Sequence, residues 1–225
     1  FITTSLTAVR SLSGGDGLLL KIVVATVSTG KAVFAHTVDV KGPGEDRYAV
    51  QRLAEDICWL GYTRVLFRSD NEPAILRLLE EALKSLRVGV GEAEPPGGEE
   101  PSEEMRHYHE QVGQEHPPVY DSNANGEMKN AIRRFSAQLR TVKLCLEKRL
   151  QQRVPTDHKV MNWLVGHVAW ILTTRACGED GITSYHRIKG KEYVKRTAGF
   201  GETVLFKFPS KGPTRKEDGS LDERW

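Results

Sequence analysis

The chain has 225 residues, 39% hydrophobic and 28% charged, which excludes wholesale disorder and allows one sizeable core with an appendage. No apolar run reaches the roughly 20 residues of a membrane span and no charged-then-apolar leader opens the chain, so neither a membrane partner nor secretion is expected. Three widely separated cysteines, Cys58, Cys145 and Cys177, exclude a full disulfide framework and a CxxC zinc module, so no zinc is expected.

The net charge of +2 is a cancellation of blocks. Residues 88–118 hold eight acids against Arg106 alone. Residues 127–153 hold eight bases against Glu127 and Glu147, and residues 183–216 nine bases against Glu192 and Glu202. Basic blocks attract phosphate backbones and acidic ones repel them. A merely solvated surface is the alternative for each block.

In chain order, residues 1–9, 18–27 and 32–40 read as β-type runs. Gly14-Gly15-Asp16-Gly17 and Ser28-Thr29-Gly30-Lys31 stand between them as turns, which predicts a three-stranded antiparallel meander. Ala49, Val50, Leu53, Ile57 and Leu60 then follow at helical spacing until Gly61. Residues 63–67 predict a short buried strand, and Pro73 opens an amphipathic helix through Leu86. Residues 88–90 read as an edge strand. Residues 91–118, rich in Glu, Gly and Pro, predict a mobile acidic insert. Met128, Ile132, Phe135, Leu139, Val142 and Leu146 form the seam of a long helix that Pro155 ends. Asp157 is expected to cap a second helix, apolar nearly all round, with Trp163 and Trp170 in the core; Cys145 is likewise expected in the core. The Lys-rich stretch from Gly178 has one β-type run, 203–208. The fold class is thus α/β: a mixed sheet flanked by helices.

Asp70 ends a strand and precedes a helix, where an α/β sheet places ligands, although Asp70 or Asn71 also reads as a helix cap. Glu127 opens the long helix, where the helix dipole favours an acid. Beside it Lys129, Arg133 and Arg140 share one side, with Arg134 and Lys143 nearby. A carboxylate next to a phosphate-attracting stripe suits a divalent metal held against a phosphodiester. His107, His109 and His116 lie in the insert without cysteines near them and carry no zinc pattern.

Three stretches resemble the integrase catalytic core of copia-type retrotransposons: Arg68-Ser69-Asp70-Asn71-Glu72-Pro73, Ser122-Asn123-Ala124-Asn125-Gly126-Glu127-Met128-Lys129-Asn130, and Thr183-Ser184-Tyr185-His186-Arg187-Ile188-Lys189-Gly190-Lys191. Phe200-Gly201-Glu202-Thr203-Val204-Leu205 resembles the start of the β-rich unit that follows such cores. The resemblance implies a ribonuclease-H-like domain over residues 1–177 and a basic extension over 178–225. It also implies metal-dependent strand transfer for DNA integration, with Mg²⁺ or Mn²⁺ held by an Asp, Asp, Glu triad. Asp70 matches the second acid and Glu127 the third. Lys129, Asn130, Arg133, Arg134 and Arg140 are the candidate nucleic-acid contacts. The first acid is not found: the first strand has Thr3, Thr4 and Ser5 where one is expected, Asp16 falls in a turn, and Asp39 is expected exposed on the third strand. Three readings follow, an active integrase, a catalytically dead DNA- or RNA-binding remnant, or a structural remnant that does neither, its acidic insert masking the basic face, with homo-oligomerisation open. The resemblance implies a nuclear location, with the cytoplasm as the alternative. A start without Met marks the chain as an expected piece of a larger polyprotein or a decayed copy.

Overall fold

The structure, a computed structural model, describes residues 2–13, 19–62, 65–69, 72–91, 112–115 and 126–205. Among them the strands are β1 (Ile2–Ser13), β2 (Leu19–Val27), β3 (Val33–Val38), β4 (Val65–Ser69) and β5 (Val112–Glu115). The helices are α1 (Tyr48–Leu60), α2 (Pro73–Gly91), α3 (Gly126–Leu150), α4 (Val160–Thr174) and α5 (Ser184–Lys189). The strands form one sheet in the order β3-β2-β1-β4-β5. The β1–β2 and β2–β3 ladders are antiparallel, and the β1–β4 and β4–β5 ladders are parallel. The compact unit holding them runs from Phe1 to Val194, so the boundary expected at Cys177 falls inside it; Lys195–Trp225 forms a second unit.

The strand period of two splits β2 between the faces of the sheet. Val23 and Ala25 pack with Val50, Leu53 and Ile57 of α1, and with Ile75, Leu78, Leu79 and Ala82 of α2. Ile22, Val24 and Thr26, also buried, point to the opposite face, where α3 contacts β1 and β2, and α4 contacts β3. At the start of the free edge of β3, one side chain takes up both backbone groups of Val33. Thr173 Oγ1 of α4 accepts from Val33 N and donates to Val33 O, both at 3.0 Å. An edge so covered offers fewer open groups to another strand.

Gly61 closes α1 with φ 72, as expected of a glycine stop. Elsewhere the structure corrects the sequence reading. Residues 88–90 continue α2 as helix and form no edge strand; three β-type residues are too few to break a running helix. Residues 112–115, inside the expected loop, form β5 on the open side of β4. The long helix ends at Leu150, closed by Gln151 at φ 53 with Gln152 N donating to Glu147 O, so Pro155 is not its terminator. Asp157 does not cap α4: Val160 N donates instead to His158 Nδ1 at 3.1 Å. Cys145 is exposed, because the buried seam runs through Leu139 and Leu146. Trp163 is 77% exposed, so a seven-residue spacing to Trp170 does not make it core.

The link from α3 to α4 hangs on Glu147. Its Oε1 accepts from Val154 N at 2.9 Å and pairs with Lys143 at 3.3 Å. The Val154 N–H first, and then Lys143, hold the carboxyl below the ordinary carboxylate range. A lowered carboxyl pKa contributes stability above its unfolded value and loses it as pH falls through the lowered one. Urea denaturation from neutral pH to about pH 3 therefore shows a smaller acid-limb loss in Glu147→Gln than in the parent chain. The two tryptophans of α4 separate by the same measurement at pH 7: Trp170→Ala costs about 3 kcal/mol, and Trp163→Ala stays within about 0.5 kcal/mol.

Candidate nucleic-acid interface

Helix α3 is amphipathic, with Met128, Ala131, Phe135, Leu139 and Leu146 buried. That seam turns the other side outward, and Glu127, Lys129, Asn130, Arg133, Arg134 and Arg140 are all exposed. Lys143, expected near this face, is paired with Glu147. Arg133 donates to Asn130 Oδ1 at 2.9 Å, which orders the guanidinium along the helix.

A cavity of about 450 Å³ lies where the first turns of α3 face the β2–β3 hairpin. Glu127, Asn130, Arg133 and Arg134 line it from the helix, and Thr26, Lys31 and Val33 from the hairpin. Lys129 and Arg140 do not line it. The structure thus gathers four of the expected residues and adds Lys31, which sequence reasoning passed over as a turn residue. Three cations face one carboxylate there, a balance that suits a phosphate. A second groove, about 260 Å³, runs along the β3 edge and is lined by Phe34, Trp59 and Trp170. At one end His36 Nε2 and Asp56 Oδ2 are 2.7 Å apart. Burial pushes the Asp56 carboxyl up against the opposing pull of His36. Among the described residues no Lys or Arg lines this groove, and Glu55 and Asp56 do, a balance that disfavours a phosphate.

Asp70 lies outside the described residues, as do Asp16, His107, His109 and His116. Strand β4 ends at Ser69, whose ladder partner on β1 is Leu6. Ser5, one of three residues where the first acid is expected, registers with Thr26 on β2 and Arg68 on β4. Strand β1 carries no Asp or Glu. Asp39 is exposed as expected, and its backbone carbonyl accepts from Lys21 Nζ at 2.6 Å. Among the described residues no three His, Cys, Asp or Glu converge on a point where an ion could sit. Glu127 is the one carboxylate among the residues lining the basic cavity. Glu127 by itself does not hold a pair of divalent ions, which need several oxygen ligands.

The Thr183–Lys189 stretch has a structural task. Thr183 Oγ1 accepts from His186 N at 3.2 Å and caps α5. Tyr185 joins Trp59, Trp170 and Tyr193 in edge-on contacts, the Trp59–Tyr185 pair tilted, with ring centroids 5.2 to 6.3 Å apart. Lys189 Nζ stands 4.4 Å from the Trp59 ring centroid and donates to the Trp59 carbonyl. Arg187 is paired with Asp180. Two of the bases in the C-terminal basic block are therefore engaged within the fold.

No protein-family model matches the chain, and no curated protein matches it in sequence. Solved structures do. The simian T-cell lymphotropic virus intasome, solved with the PP2A regulatory subunit B56 gamma, aligns at TM-score 0.55 and 11% identity, over 92% of this chain and 60% of that one. The HTLV-2 integrase catalytic core domain in complex with magnesium, in its trimeric form, aligns at TM-score 0.52 and 13% identity, over 82% of this chain and 95% of that one. The BIV integrase catalytic core domain aligns at TM-score 0.48 and 15% identity, over 84% and 93%. At these identities the likeness is one of fold: the chain is built like a retroviral integrase catalytic core. Replacing Lys189 by Ala removes the cation over Trp59 and lowers stability by about 0.5–2 kcal/mol, read by urea denaturation and a shift in tryptophan emission.

Proposed function

We propose that this chain is an integrase-core-like protein that binds nucleic acid, DNA first, through the basic face of α3. One observation carries the reading: Lys129, Arg133, Arg134 and Arg140 stand exposed on one helix of an integrase-type fold, and two of them border a cavity with Lys31 and Asn130. Phosphate contacts of this kind are largely indifferent to base sequence. The extension after Val194 carries seven bases, Lys195, Arg196, Lys207, Lys211, Arg215, Lys216 and Arg224, against five acids, a net positive charge that favours phosphate as well.

A second reading is metal-dependent strand transfer by a copia-type retrotransposon integrase, with Asp70 and Glu127 holding Mg²⁺ or Mn²⁺. Its support is the fold likeness to a core solved with magnesium. It needs a carboxylate beyond these two, and β1, where the resemblance places it, carries none. Binding needs only the basic face, so it takes precedence, and it covers a remnant that has lost catalysis. A DNA target puts the place of action in the nucleus. The HTLV-2 core was solved in dimeric and trimeric forms, which favours a homo-oligomer here as well.

Binding to a duplex of mixed sequence, followed by anisotropy across a potassium chloride series, gives a log–log slope of at least about −3, since each phosphate contact contributes about −0.9. A flat series rules the binding reading out. Strand-transfer assays with Mg²⁺ and with Mn²⁺ decide the second reading. Joined product from the parent chain, lost in Asp70→Asn and in Glu127→Gln, establishes it; binding without product leaves the first reading alone.

A further inference from the structure

The β2–β3 turn is held more tightly than its exposed position requires. Lys31 adopts a left-handed backbone with φ 55, a region that glycine enters freely and a lysine does not. Lys31 N donates to Val27 O at 2.6 Å, Val27 N donates to Ala32 O at 3.0 Å, and Thr26 Oγ1 donates to the same Ala32 carbonyl at 3.0 Å. Val27 and Ala32 on either side are fully buried. Gly30 lies directly under α5: a Cβ there would stand 2.7 Å from Ile188 Cγ1 and 3.0 Å from its Cδ1. The turn is thus fixed from below by its own hydrogen bonds and from above by Ile188. Strained residues persist where their surroundings over-determine them, and they gather at ligand clamps.

What this fixed turn presents is one cation. Lys31 is exposed and lines the basic cavity opposite Arg133 and Arg134. Neither its ammonium nor the Arg134 guanidinium has a hydrogen-bond or ion-pair partner among the described residues, whereas Arg187 and Lys189 close by in the fold are engaged. A lysine is a compact point charge with three donors, and an arginine a planar fork. The two kinds together can take one phosphate from two sides.

Resting on the nucleic-acid reading, we propose that Lys31 is a phosphate contact of that site, and that it and the Arg133–Arg134 pair grip one backbone phosphate between the hairpin and α3.

The test is the salt series on a fixed-length duplex with the full chain and its Lys31→Ala, Lys31→Gly, Lys31→Arg and Arg134→Ala variants. Lys31→Ala weakens binding several-fold at low salt and makes the slope about 0.9 shallower. Lys31→Gly does the same while its thermal midpoint stays level or rises, because glycine suits the left-handed backbone; loss of binding then does not come from loss of fold. Lys31→Arg keeps the slope. If Lys31→Ala and Lys31→Gly leave affinity and slope unchanged while Arg134→Ala weakens binding, the inference is overturned and the nucleic-acid reading stands. If the parent chain binds no duplex at all, the reading beneath it falls too.

Discussion

Strand β1 is hydrogen-bonded on both sides, antiparallel to β2 from Thr4 to Ser13 and parallel to β4 from Ile2 to Leu6. A parallel ladder cannot be made by a tight turn and needs a crossover. Here that crossover is α1, which carries the chain from the edge strand β3, past β2 and β1, to β4. Both α1 and α2 consequently pack on one face with Phe67, and the opposite face is left for α3 and α4. The register of β1 between Thr26 and Arg68 therefore decides what the start of α3 can meet. The antiparallel ladder slips between Thr7 and Arg10, an irregularity of the kind that adds local twist to a strand.

What could be read from the sequence follows how local the causes are. The first hairpins, α1 with its glycine stop, and the seam of α3 are set by patterns within a few residues. Strand β5 was not legible: Val112-Gly113-Gln114-Glu115 has no β pattern, sits among acids, and becomes a strand through its ladder with Val65 to Arg68. Trp163 and Cys145 are exposed against their pattern for a related reason. An apolar side chain on a helix is buried only if the neighbouring layer reaches that angle, and periodicity says nothing of where the layer ends.

The candidate site divides in the same way. The basic side of α3 could be read from helical spacing alone, and Glu127 from its place in the first turn. Lys31 could not, because nothing in Ser28-Thr29-Gly30-Lys31 points to a helix a hundred residues further on. Charge counting also overstates the cations on offer. Arg187 and Lys189 are engaged with Asp180 and Trp59, and Lys143 with Glu147. These pairs consume positive charge that the sequence makes look available.

Glu127 is the residue on which the two functional readings turn. Alone among Lys31, Arg133 and Arg134 it opposes a phosphate, and its presence costs affinity at a surface that only binds. With an ion between carboxylate and phosphate the sign reverses, since the same charge then holds the bridge. A binding surface under no catalytic demand gains by losing such an acid, whereas a metal site cannot spare it. The effect of Glu127→Gln on duplex affinity thus separates the cases: without divalent ions the variant binds more tightly, and with Mg²⁺ or Mn²⁺ present the order inverts only if Glu127 is joined by further ligands. Strand β1 contributes no carboxylate to that set. An inversion would thus have to draw on Asp70 and on an acid elsewhere in the chain, and its absence leaves Glu127 as an acid at a helix start, where the dipole alone favours it.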